Sequence, residues 1–392
     1  MPKRLTSRER MLATINHQQP DYVPLWFNWH YKDTQILQWD EPIERAERVL
    51  AMGLDDTILI GVPDSVHPET STRVWVEHPA NSRYPLIHKE YHTPKGVMHQ
   101  IVKQTDDFDD PEYWQKNGGL DVVGLANNYG VPRTVEWPVK GIEDLEKLAY
   151  FYQPPTAEQL ATFRETVRRA KELDRRCGVL LEGGWIDVGD FIYALLGFEN
   201  LVEAQVDRPE LIEALLEMLI PRARRRIDLL LDAGVDIITH DAWYEYPDAW
   251  GVKAFRRFIK PYLRDEIALV HSAGIKFSYI QTSGVGPRLE DLLDLGIDIL
   301  WGADPVQDQT ADLPGWKRKV GERICLLGGI NAQVTLIMGD EEDIRHEVRY
   351  ARETLGPGGG FIMAPIDNIY PYTPGRNLEI LIDEWKQVRD YC

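Results

Sequence analysis

Acidic and histidine side chains end or follow several apolar, β-rich segments of the chain. His240 and Asp241 lie at the end of segment 235–240, Glu182 ends segment 178–182, and Asp367 follows segment 361–363. Carboxyl and imidazole groups transfer protons in general acid–base catalysis, and both can bind cations. A single Asp after a strand is often only a helix cap, so the interpretation depends on several such groups meeting. We take these four residues as candidate catalytic residues, with metal binding left open.

Aromatic and amide side chains occur at similar positions. Five tryptophans fall within or just after the β-rich segments: Trp26, Trp29, Trp185, Trp243 and Trp301. Flat apolar walls would suit a planar or bulky apolar ligand, whereas a tryptophan-rich core is the plain alternative. The candidate substrate-binding residues at these segment ends are Asn28, His30, Trp185, Trp243, Gln281, Asp304 and Asn331.

An alternation of strands and helices must position these residues. Eight strand candidates are predicted, at 22–29, 56–62, 178–182, 235–240, 275–280, 297–301, 324–327 and 361–363. Amphipathic helical patterns follow most of them. Parallel strands with helical crossovers, eight in number, predict an α/β fold of the (β/α)8 TIM-barrel type, and an open doubly wound sheet is the alternative. In such a barrel the active site lies at the C-terminal ends of the strands, where these residues lie.

Residues 63–156 interrupt this alternation. They are rich in Pro, Asn, Asp and His, and alternating residues around Pro94 and Gly96 predict a β-hairpin between 88 and 104. The segment has too few apolar residues for its own core. We therefore expect one barrel domain over 1–392, with 63–156 as an insertion after the second strand that caps the strand ends.

Composition excludes several classes of function. Lys and Arg number 44 against 63 Asp and Glu, a net charge of −19. Such a surface repels phosphate backbones and anionic lipids, so we expect neither nucleic acid nor membrane as partner. Cys177, Cys325 and Cys392 lack CxxC spacing, which argues against a disulfide framework or a cysteine zinc site. No apolar segment follows the basic first residues, and a cytoplasmic location is expected.

Five longer segments resemble a known superfamily. They are SRERMLATINHQQPDYVPLW (7–26), LLGFENLVEAQVDRPELIEALLEML (195–219), FIKPYLRDEIALVHSAGIKF (258–277), LLGGINAQVTLIMGDEEDIRHEVR (326–349) and PYTPGRNLEILI (371–382). Together they resemble the uroporphyrinogen decarboxylase superfamily, which also contains methyltransferases that pass methyl groups between corrinoid proteins and coenzyme M. The resemblance covers nearly the whole chain outside 63–156, and it implies the same barrel.

The chain departs from the decarboxylases of that superfamily. These hold substrate carboxylates with an Arg-rich segment, RQAGRY, after the first strand, where this chain has FNWHYKDTQ (27–35). Their catalytic Asp falls where this chain has GVP (61–63), with Asp64 out of register, and their site His aligns with Asp367. Tyr193 does match a decarboxylase site residue. The resemblance therefore adds Tyr193 to the substrate-binding candidates.

The chain also departs from the methyltransferases that activate thiols with zinc. Their His-x-Cys pair aligns with Ile280 and Thr282, and their last Cys aligns with Asp367. Thiolate formation needs such zinc ligands. We therefore expect this zinc site to be absent, and the sequence leaves any other metal undefined.

These observations favour an enzyme that binds a small molecule. We expect demethylation of a small apolar or aromatic methyl donor, with a corrinoid on a partner protein as acceptor and His240, Asp241 or Asp367 as proton donor. Decarboxylation of a porphyrin-like or other cyclic acid is the second hypothesis, and a non-catalytic tetrapyrrole or corrinoid binding protein is the third. A homodimer is compatible with each. Replacing Asp367 or His240 is expected to abolish activity and leave the fold intact.

Overall fold

The protein structure is a computed structural model that describes residues 4–30, 32–105 and 133–391. Its strands are β1 (Thr57–Gly61), β2 (Ser71–Glu77), β3 (Leu86–Thr93), β4 (Gly96–Lys103), β5 (Thr134–Glu136), β6 (Leu180–Ile186), β7 (Ile237–His240), β8 (Lys276–Ile280), β9 (Ile299–Ala303), β10 (Cys325–Asn331) and β11 (Phe361–Ile366). Its longer α-helices are α1 (Ser7–Ile15), α2 (Pro42–Ala51), α3 (Ala157–Cys177), α4 (Gly189–Leu196), α5 (Phe198–Asp207), α6 (Pro209–Ala233), α7 (Lys260–Ser272), α8 (Leu289–Leu295), α9 (Leu313–Val320), α10 (Glu341–Leu355) and α11 (Gly375–Val388). None of the helices described is both long and apolar enough to cross a membrane.

Seven strands form one curled parallel sheet. Its neighbours, in order, are β1, β6, β7, β8, β9, β10 and β11. Side chains on the inner side of the curl form one apolar cluster, which includes Leu180, Ile237 and Ile299. Side chains on the outer side, such as Ile238 and Phe277, belong to a second cluster shared with the helices. The predicted α/β class with a parallel sheet is confirmed.

The first predicted strand, 22–29, is not a regular strand. Leu25 makes an isolated parallel bridge to Met363 of β11. The Trp26 N–H donates to the Met363 carbonyl at 3.0 Å, and the Asp55 N–H donates to the Leu25 carbonyl at 3.0 Å. Pro24 has no N–H to donate, which limits any longer ladder. The prediction of eight regular strands is therefore wrong here. Beside β11, where the eighth strand was expected, lies the extended segment 22–29, which makes only a single bridge to β11.

Helix α1 covers the N-terminal ends of the strands. The Thr6 side chain accepts from Glu9 N at 3.2 Å, and Glu9 Oε2 accepts from Thr6 N at 2.8 Å, so the two residues form a capping box at the start of the helix. Met11 and Ile15 pack into the inner apolar cluster. The Arg8 guanidinium pairs with Asp236, the residue before β7 begins. Helix α1 thus packs against the N-terminal end of the sheet.

The insertion contains a second, antiparallel sheet in the order β2, β3, β4, β5. Strands β3 and β4 pair over their full length around Pro94–Lys95. One face of this sheet is buried through Tyr91 and Met98, which join the same apolar cluster as the outer side of the parallel sheet. The Val139 N–H donates to Leu195 O of α4 at 3.4 Å. That the insertion caps the strand ends stays a prediction.

Candidate functional site

Four tryptophans and one histidine form a connected group of rings. The Trp301 ring lies 4.8 Å from Trp26, 5.7 Å from Trp243 and 6.4 Å from Trp185, each edge to face. His30 stacks on Trp185 at 6.3 Å with 19° between the planes. Trp26 and Trp301 are buried, whereas Trp185 and Trp243 are half-buried. The buried rings of Trp26 and Trp301 belong to the core, and the half-buried rings of Trp185 and Trp243 remain candidates for an apolar wall.

Asp241 directly follows β7 and is half-buried. Alternation along the strand places it on the same side as Thr239, which points inside the curl, and as Trp243. Its N–H donates to Ile186 O at 2.6 Å, and its Oδ1 is buried without a partner in the described part of the chain. Burial, and then the charge of Asp187, raises the pKa of Asp241 to about 8. This carboxyl group therefore carries a proton at neutral pH.

Asp367, just after β11, is fixed in a strained conformation. Its φ of 88° lies in the left-handed region, which non-glycine residues rarely occupy. Its Oδ1 accepts from the Asn368 N–H at 2.8 Å, and its Oδ2 accepts from the Tyr370 hydroxyl at 2.8 Å. Asn28 donates to Asn368 Oδ1 at 2.8 Å. Burial lowers the pKa of His30, and the charge of Asp367 partly offsets this effect.

These residues come from four places in the chain. We call His30, Trp185, Asp241, Trp243 and Asp367 the rim cluster. Its members follow segment 22–29 or lie at the C-terminal ends of β6, β7 and β11. An apolar wall with a protonated carboxyl group, a second carboxyl group and an imidazole can bind a flat ligand and supply a proton to it.

Glu182 lies deeper inside the curl than the rim cluster. It is the third residue of β6, and its two oxygens accept from the hydroxyls of Thr57 at 2.7 Å and Thr239 at 2.5 Å. The side chain is 7% exposed. Both neighbouring strands therefore already supply its hydrogen bonds.

His240 lies on the opposite side of β7, between the sheet and α7. Its side chain is fully buried, with Nδ1 3.2 Å from Glu266 Oε1 and Nε2 3.3 Å from Glu245 Oε1. Its ring stacks on Tyr279 at 5.6 Å, and the Tyr262 hydroxyl lies 3.2 Å from its Nε2. Burial alone would lower the pKa of His240, but the two carboxylates raise it well above its ordinary value. The prediction that His240 and Asp241 share a pocket is wrong, because consecutive strand residues face opposite sides.

Asp304 and Asn331 cap the ends of their own strands. Asp304 Oδ1 accepts from the backbone N–H groups of Val306 and Gln307 at 2.7 Å each, and Asn331 donates to Asp304 Oδ2 at 2.8 Å. Asn331 Oδ1 accepts from Val334 N at 2.6 Å. Their polar atoms are used in turns, as the capping alternative states.

Three further residues singled out from the sequence have structural contacts: Gln281 bonds to a loop, and Tyr193 and Trp29 pack in the core. Gln281 is fully buried and donates to the carbonyls of residues 283 and 284. Tyr193 is buried and stacks on Tyr244 at 4.7 Å. Trp29 is fully buried in the outer apolar cluster, apart from the other predicted tryptophans. The structure does not bring these three into the rim cluster.

Two carboxylates missed by the sequence analysis join the loops after β6 and β7. Asp190 Oδ1 accepts from Tyr244 N at 2.6 Å, and Glu245 Oε1 accepts from Gly189 N at 3.0 Å. Glu245 is fully buried, and burial followed by Asp241 and Glu245 raises the pKa of Asp190 well above its ordinary value. Nothing local in the sequence marks this reciprocal arrangement.

Two buried arginines lie behind the rim. Arg222 and Arg226 of α6 both pair with Asp64, and Arg222 also pairs with Asp187 at 3.1 Å. Arg226 donates to the Trp185 carbonyl at 3.3 Å. The i, i+4 spacing within PRARRR is the sequence signal that could have identified them. Because Asp64 and Asp187 neutralise both, they do not replace the substrate-binding arginines of decarboxylases.

The residues at the aligned zinc positions do not fit a zinc ion that activates a thiol. Ile280 and Thr282 supply neither imidazole nor thiolate. Cys177 is exposed at the end of α3, and Cys325 is buried at the start of β10, away from the rim. Among the described residues, no group of three or more His, Cys, Asp or Glu is arranged to hold a metal ion.

Comparison with known proteins gives a consistent family. A model described as uroporphyrinogen decarboxylase (URO-D) matches residues 122–388. The methylcobamide:CoM methyltransferase MtaA of Methanosarcina barkeri is 26% identical over 188 residues, which are 48% of this chain and 52% of that protein. The chain thus spans about half the length of this relative. A uroporphyrinogen decarboxylase of Methylococcus capsulatus is 26% identical over 250 residues, which are 62% of this chain and 68% of that protein.

A solved structure agrees with the fold over the full length. The methyltransferase from Methanosarcina mazei superposes with a TM-score of 0.60 at 18% identity, and the match covers 98% of this chain and 99% of that one. At this identity the match defines the fold and not the reaction.

Proposed function

The chain belongs to the uroporphyrinogen decarboxylase family, and from its rim chemistry we propose that it demethylates a small apolar or aromatic methyl donor. The methyl acceptor is a corrinoid carried by a partner protein. The methylcobamide:CoM methyltransferase of Methanosarcina barkeri supports methyl transfer involving a corrinoid in this family.

The observation that carries the proposal is the position of the Asp241 carboxyl group just after β7, where its Oδ1 is buried without a partner among the described residues. Its backbone N–H donates to Ile186, the residue after Trp185, and burial raises its pKa to about 8, which favours the protonated form. In the proposed step, the bond between the methyl carbon and an oxygen or nitrogen atom of the donor breaks. The methyl group passes to the acceptor, the electron pair stays on the heteroatom, and Asp241 gives that atom a proton. Solvent then restores the proton on Asp241.

Oxygen and nitrogen donors suit this rim better than thiols. A thiol acceptor or donor is activated as thiolate by zinc, and Ile280 and Thr282 are not zinc ligands. An alkoxide or amide leaving group is instead a strong base that needs a proton as the bond breaks. His30, which stacks on Trp185, and Asp367 orient the polar end of the donor in this proposal.

The test is a methyl-transfer assay with a defined acceptor. Untagged protein is mixed with chemically reduced free cobalamin and a panel of methoxylated and N-methylated aromatic compounds, and methylcobalamin and demethylated product are measured. Asp241→Asn should lower the rate by roughly 100-fold or more. Asp265→Asn, at an exposed position of α7, is the matched control and should keep the rate.

Methylcobalamin formation that is equal in wild type and Asp241→Asn would remove Asp241 from the reaction. Carbon dioxide release from a cyclic acid, without methyl transfer from any donor, would favour the decarboxylase hypothesis. Tight corrinoid or tetrapyrrole binding with neither product would favour the binding protein.

A further inference from the structure

The outward face of the insertion sheet carries an ordered group of three rings. The indole of Trp75 lies over His88 at 4.8 Å and over His99 at 5.8 Å, with 11° between the planes in each case. The two imidazoles are 5.3 Å apart and 22° from parallel. Stacked beneath one indole, they lie side by side in nearly the same plane.

The nitrogens of the two histidines face each other. His88 Nδ1 and His99 Nε2 are 3.2 Å apart. The remaining nitrogen of each ring meets a carboxylate: His88 Nε2 is 2.8 Å from Glu77 Oε2, and His99 Nδ1 is 3.3 Å from Glu136 Oε1. The carboxylates accept hydrogen bonds, so both outer nitrogens carry protons. The two inner nitrogens lie within hydrogen-bond distance of each other. An ion that binds both would take the place of the proton between them.

We propose that His88 and His99 together bind a divalent transition-metal ion such as Zn²⁺, at a site separate from the rim cluster. Two nitrogens bound about 2.0–2.1 Å from one tetrahedral zinc ion are about 3.3–3.4 Å apart. The inner nitrogens, at 3.2 Å, need only a small movement to reach that spacing. Imidazole is a preferred ligand of zinc, nickel and copper.

The surroundings of the two histidines are those of metal ligands. A carboxylate on the second nitrogen of a ligand histidine fixes the ring and raises its basicity, and here both rings have one. Trp75 holds the rings from above, and Arg73 lies 4.9 Å from its ring. Lys140 pairs with Glu136 outside the ring plane.

Two protein ligands leave the remaining positions to water. His99 is 28% exposed, so an ion can reach it from solvent. The site is therefore an exchangeable one on the surface of the insertion, weaker than a four-ligand structural site. The bound ion would join β3 to β4 through these two rings and stiffen this sheet.

The test is zinc binding by untagged, metal-stripped protein, measured by isothermal titration calorimetry. We expect one Zn²⁺ per chain. His88→Gln and His99→Gln should each weaken binding at least tenfold, and the double variant should abolish it. His92→Gln is the matched control, since His92 lies on the same face with its own carboxylate partner, Glu90, at 3.0 Å. Circular dichroism of each variant without metal verifies that it is folded.

Binding that is equal in wild type and the double variant would overturn the proposal, as would no heat from wild type at millimolar Zn²⁺. The change in melting temperature on adding zinc is a second test of the proposal. Zinc should raise the melting temperature of wild type and His92→Gln but not that of the double variant. Methyl-transfer activity should be the same in all of these folded variants, because the rim cluster contains neither histidine.

Discussion

Two adjacent residues, His240 and Asp241, have opposite environments although both end β7. His240 is fully buried on the outer side between two glutamates, and Asp241 is half-buried on the inner side with a protonated carboxyl group. The two glutamates stabilise the positive charge of His240. Burial and the negative charge of Asp187 disfavour a negative charge on Asp241. Replacing each should therefore have different consequences.

The proton on Asp241 makes both activity and stability depend on pH. Its pKa of about 8 in the folded state lies far above the ordinary value of about 3.9. The folded state therefore holds more protons between about pH 4 and pH 8, and the free energy of unfolding falls as pH rises through that window. Methyl transfer should be sustained at pH 6–7 and decline above about pH 8.

Asp241→Asn removes this ionisation. The variant should melt at the same temperature as wild type near pH 4 and at a higher temperature at pH 8, where wild type loses the stability linked to the Asp241 proton. Calorimetry at both pH values checks this. A variant that is less stable than wild type at pH 8 would show that Asp241 is ionised in the folded state.

His240→Ala should unfold the protein more easily. The substitution leaves Glu245 and Glu266 buried without the positive charge between them, which costs about 3–5 kcal/mol when one partner of a buried pair is removed. Urea unfolding monitored by circular dichroism measures the loss. His271→Ala, in α7 and 39% exposed, should change stability by less than about 1 kcal/mol. Unchanged stability with lost activity would restore the catalytic role expected from the sequence.

At the level of elements, α1 depends on charge pairs as well as on its apolar face. Arg10 is 4% exposed and pairs with Asp55 at 2.6 Å and with Asp21 at 2.8 Å. Asp55 is fully buried, and burial raises its pKa even with Arg10 present. These pairs attach α1 to the residues just before β1.

Arg10→Met should therefore lower the free energy of unfolding by about 3–5 kcal/mol at neutral pH, because it leaves the Asp55 carboxylate buried alone. The loss should shrink toward pH 4, where Asp55 can take up a proton. Arg4→Met, at an exposed position before the helix, is the control. Equal unfolding midpoints for both variants at pH 7 would mean that Arg10 contributes packing only.

At the level of the whole molecule, charge restricts the substrate. The net charge is −19, and the two buried arginines nearest Trp185 are already paired with Asp64 and Asp187. A substrate with many carboxylates would meet repulsion that no free cation of the rim cluster offsets. A small methyl donor of low charge would not meet this repulsion.

We therefore expect no conversion of uroporphyrinogen. Anaerobic incubation followed by chromatography should yield no coproporphyrinogen above the level without protein, at low and at physiological salt. Conversion of uroporphyrinogen at an enzymatic rate would contradict the electrostatic argument and favour the decarboxylase hypothesis over methyl transfer.

The sequence by itself determined the local and periodic features. The α/β class and the positions of β6 to β11 follow from patterns within about 20 residues, and the strands were predicted within a few positions. The polar residues at the strand ends were identified for the same reason. The irregular segment 22–29 was not, because Pro24 breaks a ladder that its composition favours.

Only the tertiary structure decided which of those residues act together. Strands far apart in the chain pair with each other, and their register decides whether a residue faces the inside of the curl or the helices. A shift of β7 by one residue would place His240 on the inner side and Asp241 on the helix side. The pairing of Arg222 and Arg226 with Asp64, and the facing nitrogens of His88 and His99, join residues from different elements. No local pattern encodes such contacts, since they depend on distances set by packing.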